Sequence, residues 1–449
     1  MKAQRQRLRR LNLAILLAFV AVGVSLVYWA GVRAGGILAR DDNPRLVEAE
    51  LRIQRGEILD SQDRVLARSV AEGERFQRVY PLADMGPAVG YYSLRHGIAG
   101  IEQGLDPILR GETGDWRTLA LRNVLHMPQV GQDVRLTLDA DWQQAAETLL
   151  GDRRGAVLLF TLSDTAIRAL VSHPTFDPNQ LDEQFDALMA DEDAPLLNRA
   201  TQGRYQPGLA LQPFILAGVV ATDRLSLDNA VPDATVPVPV LDSILTCANQ
   251  PEDVTHLADA LRYGCPAPML TVESVLQAAE LQQIFADFGL TTAPELPLVT
   301  ETSEATPPQD MRLAVLGQEN LTVTPLQLGM AWMALANGGV LSQPRLVAAI
   351  AEGGPHGAWQ TYTKLTPPRE VVPSRVAAAI LAALPRQKDT IEHVALALSG
   401  PGGSTNAWYL GLAPASDPRL AVVVIIEGSD DVGAAQEVGR ALLAAAFGR

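Results

Sequence analysis

From Leu11 to Val32 the chain reads LNLAILLAFVAVGVSLVYWAGV, without a charge. Roughly 20 apolar residues in a row match a hydrocarbon core of about 30 Å, so this run predicts one membrane-crossing helix. Tyr28 and Trp29 fall where an interfacial aromatic belt is expected at its far end. A cleaved signal peptide is the rival reading, but its apolar core is shorter, about 7–15 residues. Beyond the run, residues 41–154 alternate short extended stretches, such as Val47 to Ile53 and Asp133 to Leu138, with turns, and predict a β-rich module. A helix is expected to start at Asp139 or Asp141, with Gln144 as a capping-type partner three residues after the latter.

A second regime opens at Gly155. GAVLLFTL and AIRALVSH, separated by Ser163, Asp164 and Thr165, predict an antiparallel hairpin. The Pro/Val segment Val231 to Val240 cannot be a central strand and reads as a surface connection. Glu301 to Gln309 is expected to be a loop. Thr271 to Phe288 predicts one helix ended by Gly289, and Pro325 to Asn337 a buried helix with Pro in its first turn. Ala407 to Leu412 and Leu420 to Ile426 read as strands, followed by an amphipathic helix from about Val432 to Phe447. Strands at both ends with helices between predict an α+β domain built on one sheet. The expected division is 1–40 for a basic head and anchor, 41–154 for the β-rich module, and 155–449 for the α+β domain.

Charge sharpens the membrane reading. Lys2, Arg5, Arg7, Arg9 and Arg10 crowd the first ten residues of a 449-residue chain whose net charge is −15. Such a flank stays in the cytoplasm and leaves the bulk of the chain outside. The acidic balance excludes a nucleic-acid binder, and a 47% hydrophobic content excludes wholesale disorder. Cys247 and Cys265, 18 residues apart in the exported part, can form a disulfide or remain two separately buried thiols. The six histidines show no metal spacing, so no metal and no cofactor is expected. No G-x-S-x-G elbow occurs, and nothing in the spacing selects a carboxylate pair.

Seven segments, in order, resemble the class B penicillin-binding proteins, membrane-anchored serine D,D-transpeptidases that cross-link peptidoglycan. They are Arg55 to Asp60 with Val65 to Ala67, Ile98 to Glu102 and Leu109 to Gly114, Gly131 to Asp139, Ser172 to Asn179, Asn198 to Ala200, Leu321 to Gly339, and Trp408 to Pro418. The resemblance implies a β-rich pedestal domain and a transpeptidase-like (serine β-lactamase-like) domain, an antiparallel sheet covered by helices. It also implies partnership with the membrane and with a polytopic peptidoglycan polymerase.

The family's chemistry needs three motifs, and each is degenerate here. In S-x-x-K, following Pro-Gly at a helix start, Ser and Lys lie one turn apart so that the amine can take the hydroxyl proton. Tyr205-Gln206-Pro207-Gly208-Leu209-Ala210-Leu211-Gln212 puts Leu209 and Gln212 at those two positions. S-x-N falls at Gly264-Cys265-Pro266, or alternatively at Cys247-Ala248-Asn249. K-T-G, on the strand that binds substrate by edge pairing, corresponds to the stretch Gly400 to Ser404, where Pro401 and Gly402 lack the charge and the hydroxyl and Ser404 alone could mimic the last Thr. The chain has three lysines, Lys2, Lys364 and Lys388, and no S-x-x-K anywhere. Tyr205, Gly208, Ser404 and Asn406 could line a remnant pocket that still takes muropeptide. The expectation is a catalytically inactive scaffold or binding subunit; the alternative is an active transpeptidase with a rearranged site.

Overall fold

The computed structural model describes residues 2–29, 44–114, 125, 128–249, 251, 256–304, 306–352, 354, 357–362, 366–399 and 403–447. The chain forms two compact units, Met1–Gln54 with Ala71–Gln77, and Arg55–Val70 with Arg78–Arg449.

In the first unit, helix α1 (Lys2–Val27) carries from Arg10 to Val27 a stretch of mean hydropathy 2.2, long and apolar enough to cross a membrane. Helix α2 (Pro44–Leu51) stands where alternation predicted an extended Val47 to Ile53. The Glu, Ala and Leu residues that make the alternating pattern are also strong helix formers, and Glu48 meets Arg52 one turn on at 3.4 Å.

Short strands follow along the chain: β1 (Ile58–Leu59), β2 (Val65–Glu72), β3 (Arg75–Val79), the separate hairpin β4 (Gly90–Ser93) and β5 (Gly97–Gly100), the one-turn helix α3 (Ile101–Gly104), and β6 (Val134–Leu136). Glu102, fully buried on α3, is held by Arg55 (2.9 Å) and Arg78 (2.6 Å). Burial pushes its carboxyl up, but the two guanidiniums outweigh this and hold it below the ordinary value of 4.5. Helix α4 (Ala140–Leu150) starts at the first of the two expected positions: the Asp139 carboxylate accepts from the backbone N–H of Asp141 and Trp142.

The second half opens with β7 (Gly155–Thr161) and β8 (Ala166–His173), the predicted hairpin. A tight turn over Gly208–Leu211 leads into α5 (Gln212–Ala221). The Pro/Val segment ends in β9 (Val238–Val240), which pairs only with β10 (Ser243–Leu245) as a two-stranded hairpin. The single helix expected over Thr271 to Phe288 is two, α6 (Met269–Glu273) and α7 (Ala278–Asp287). Gln277 caps α7 in a capping box with Glu280, a start signal that the continuing apolar spacing concealed. Helix α8 (Pro325–Ala336) is almost wholly buried, and Thr324 and Gln327 form its capping box.

There follow β11 (Val347–Ala351), β12 (Trp359–Thr361), α9 (Ser374–Ala383), β13 (Arg386–Gln387), β14 (Thr390–Leu398), β15 (Thr405–Ala413), β16 (Leu420–Ile426) and α10 (Val432–Phe447). One six-stranded sheet has the order β12-β11-β6-β1-β2-β3; the other, antiparallel throughout, has the order β13-β14-β15-β16-β7-β8. The run LAVVVII of β16 is buried on both faces: Ala421, Val423 and Ile425 join the core that holds α5 and α8, while Val422, Val424 and Ile426 join the core beneath α4 and α10. A strand sandwiched between two helical layers needs no polar face, which is why it reads as a continuous apolar run.

Candidate functional site

Pro207 and Gly208 turn the chain into α5, and the turn lies against the outer edge of β14. Gly208 sits at φ +54, and a methyl group there would run into Leu396 O and Ala397. Glycine at this point therefore permits both the left-handed turn and the close approach to the strand. On β14's outer side β13 pairs only with Thr390 and Ile391, so the rest of that edge meets the turn before α5.

Leu209, which the sequence resemblance puts at the nucleophile position, is 1% exposed, part of the main core. Its carbonyl lies 3.0 Å from His393 Nε2, while His393 Nδ1 lies 3.4 Å from Leu261 O. Burial depresses the His393 pKa, and the two carbonyls only partly restore it. The ring is thus neutral, and with one N–H to give it serves the nearer acceptor, Leu209 O. Facing carbonyls, with no hydroxyl in reach, His393 is a strut between β14 and the turn. Sequence reasoning assigned it no part in the site, because nothing local marks which histidine will face Leu209.

Gln212, in the base position, is completely buried; its Nε2 donates to Cys265 O at 2.7 Å, and its Oε1 has no partner among the described residues. A neutral amide stands where the motif requires a cation. Cys247 and Cys265 are joined in a disulfide, which brings the two candidate S-x-N segments side by side. Ala248 N donates to Gly264 O (3.2 Å) and Asn249 N to Tyr263 O (3.0 Å). Gly264 (φ +61) packs against Val394 O of β14, and Pro266 is buried beside it. Of the two segments, Gly264-Cys265-Pro266 is the one that Gln212 bonds.

At the third position most of the expected stretch is not described. Pro401 and Gly402 lie outside the described residues, as does Lys364, while Gly403 and Ser404 are exposed in the turn from β14 to β15. Edge pairing requires extended backbone, and the extended segment beside Gly208 and Leu209 is β14 itself, where His393-Val394-Ala395-Leu396-Ala397 offers neither a cation nor a hydroxyl. Lys388 is exposed in the turn before β14, at the opposite end of that strand from Ser404.

The four residues read as a remnant pocket are engaged separately. Tyr205 donates its hydroxyl to Glu427 (2.6 Å), which also binds Arg199 (2.8 Å) and Arg154 (2.8 Å), and its ring meets Trp408 edge-on. Burial, and then the Glu427 carboxylate, push the phenol far above its ordinary pKa. Asn406 Oδ1 accepts from Gly428 N. Tyr205 and Asn406 thus tie down the chain just after β16, Gly208 abuts β14, and Ser404 faces solvent. Glu427 and its arginines went unnoticed in the sequence because their partners lie more than 200 residues away.

Known proteins share this fold. The family described as penicillin binding protein transpeptidase domain matches residues 155–395, and the penicillin binding protein A dimerisation domain matches residues 55–134. The peptidoglycan D,D-transpeptidase PbpA of Mycolicibacterium smegmatis is 31% identical over 490 aligned positions, covering 98% of each chain. The crystal structure of PBPA from Mycobacterium tuberculosis superposes with a TM-score of 0.79 at 27% identity, over 88% of this chain and 99% of that one. An imipenem acyl-enzyme complex of the same M. tuberculosis protein superposes with a TM-score of 0.78 at 29% identity, over 89% and 99%. With these matches and an antiparallel sheet held between two helical layers, the chain belongs to the penicillin-binding protein transpeptidase family.

Proposed function

We propose that this family member has lost acyl transfer and serves peptidoglycan synthesis as a membrane-anchored scaffold or binding subunit. The observation that carries the reading is Leu209: an aliphatic side chain, buried in the core, at the position of the nucleophilic serine. Gln212 cannot take a proton, and β14 offers no cation for a substrate carboxylate. In a serine protease, loss of the nucleophile alone costs a factor of about 10⁶ in turnover. The M. tuberculosis relative forms an acyl-enzyme with imipenem; here that ester has no oxygen on which to form. A rearranged active site is disfavoured by the exposed turns that hold Ser404 and Lys388.

The same proposal takes residues 1–40 as a basic cytoplasmic head and retained anchor, 41–154 as the pedestal and 155–449 as the transpeptidase-like domain, with a polytopic peptidoglycan polymerase as the partner class. Full-length chain in lipid nanodiscs, incubated with a labelled penicillin and read by intact mass, is expected to show no covalent adduct. A stoichiometric adduct would overturn the reading. Enrichment of envelope proteins over an anchor-swapped control tests the scaffold role; equal recovery from both removes it.

A further inference from the structure

Away from Leu209, two cavities of about 510 and 190 Å³ adjoin at Gly100, Gln103, Leu298 and Val299, and we read the two together as one elongated groove. Its walls are set by backbone packed on backbone. A methyl group on Gly104 would overlap Pro297 O, and one on Gly86 would crowd Phe176 O, so the groove is built into the fold. Among the described residues no Lys, Arg or His lines it, and the one carboxylate that does, Glu295, accepts from Thr366 Oγ1. Anionic ligands find no counter-charge there.

The lining is instead amide, hydroxyl and aromatic. Thr201 is 1% exposed, and its Oγ1 has no partner among the described residues. A buried hydroxyl left alone is destabilising, and a ligand atom that pairs with it recovers that loss. Gln202 is aimed by the bond from Asn198 N to its Oε1, and its NH2 remains available, as does the amide of Gln103 on α3. Tyr91 and Phe176 meet edge-on at 5.9 Å in the smaller lobe, and Tyr362 lines the larger one. Amides that donate and accept, beside aromatic faces and with no cation among the described residues, suit an uncharged polyhydroxylated chain: hydroxyls meet the amides, and C–H faces lie on the rings.

We propose that this groove binds a neutral oligosaccharide strand of several sugar units. The inference deepens the reading of the chain as a binding subunit and rests on it, but its site is separate from Leu209. A β-lactam adduct would overturn the inactive reading and leave this site untouched, while failure here would leave the adduct result standing.

The test is calorimetric titration of full-length chain in phosphatidylcholine nanodiscs with chitotetraose, with a neutral tetrapeptide as comparator. Saturable binding of the sugar is expected, weakened about three- to tenfold by Gln103→Ala and by Thr201→Val, since each removes one hydrogen bond. Gln103 is exposed and the Thr201 hydroxyl has no protein partner, so both variants should melt with the unaltered chain. No saturation, binding indifferent to both substitutions, or preference for the tetrapeptide would each overturn the proposal.

Discussion

Truncating Leu209 to Ala tests most directly whether the nucleophile position has become core. In an acylating enzyme this position must present a small, reachable hydroxyl, and shortening it should matter little to stability. Here the side chain is 1% exposed, on a turn pinned to β14 through His393. Leu→Ala at such sites costs about 2–5 kcal/mol, the lost transfer energy plus the cavity that rigid neighbours leave open. Gly208, which cannot move toward β14 without collision, and the disulfide-linked segments on Val394 limit collapse, which favours the upper part of that range. For a domain of this size the loss corresponds to a fall in melting temperature of about 3–8 °C. Thermal melting of the full-length chain, followed by fluorescence of the buried Trp332 and Trp408, reads it. A fall of less than about 1 °C would refute the claim that Leu209 is packing.

Restoring the reagents should not restore the reaction. Leu209→Ser combined with Gln212→Lys is expected to give no penicillin adduct by intact mass, because β14 still lacks a cation and the new lysine is buried without a carboxylate partner; rapid acylation would contradict this. Glu102→Gln should lower stability by about 3–5 kcal/mol by leaving the buried Arg78 guanidinium without a carboxylate and Arg55 with Asp106 alone, measurable as a shift in denaturation midpoint. Because the folded carboxyl is held below 4.5, that contribution is present above this value and fades as pH falls through the folded pKa; the variant should lose the acid-dependent part. Glu147 behaves oppositely: burial raises its pKa from 4.5 to about 7, so the folded state holds the extra proton and stability declines as pH rises between those values. Glu147→Gln should flatten that slope and melt higher at pH 8, by about 1–3 kcal/mol; an unchanged pH profile would show that Glu147 titrates normally. Cys247→Ser with Cys265→Ser opens an 18-residue loop and should cost about 2–4 kcal/mol, seen as a lower melting temperature that added reductant does not shift further.

What could be read along the chain was whatever short-range chemistry determines. The uncharged run from Leu11, the all-apolar β16, the Pro-Gly turn before α5 and the absence of Ser and Lys at positions 209 and 212 need no knowledge of distant residues. Local signals also failed where two structures satisfy one pattern, as at Val47 to Ile53, whose alternation folds as helix α2, and at Gln277, where a cap interrupts an unbroken apolar rhythm. Tertiary structure alone decided that Leu209 is buried, that β14 flanks it, that Gln212 bonds Cys265 O, and that the disulfide brings both S-x-N candidates together. It likewise placed Glu102 between Arg55 and Arg78, and Thr201 beside Gln103. These outcomes depend on which segments, tens to hundreds of residues apart, exclude water from one another, a collective result of packing that neighbouring residues in sequence do not carry.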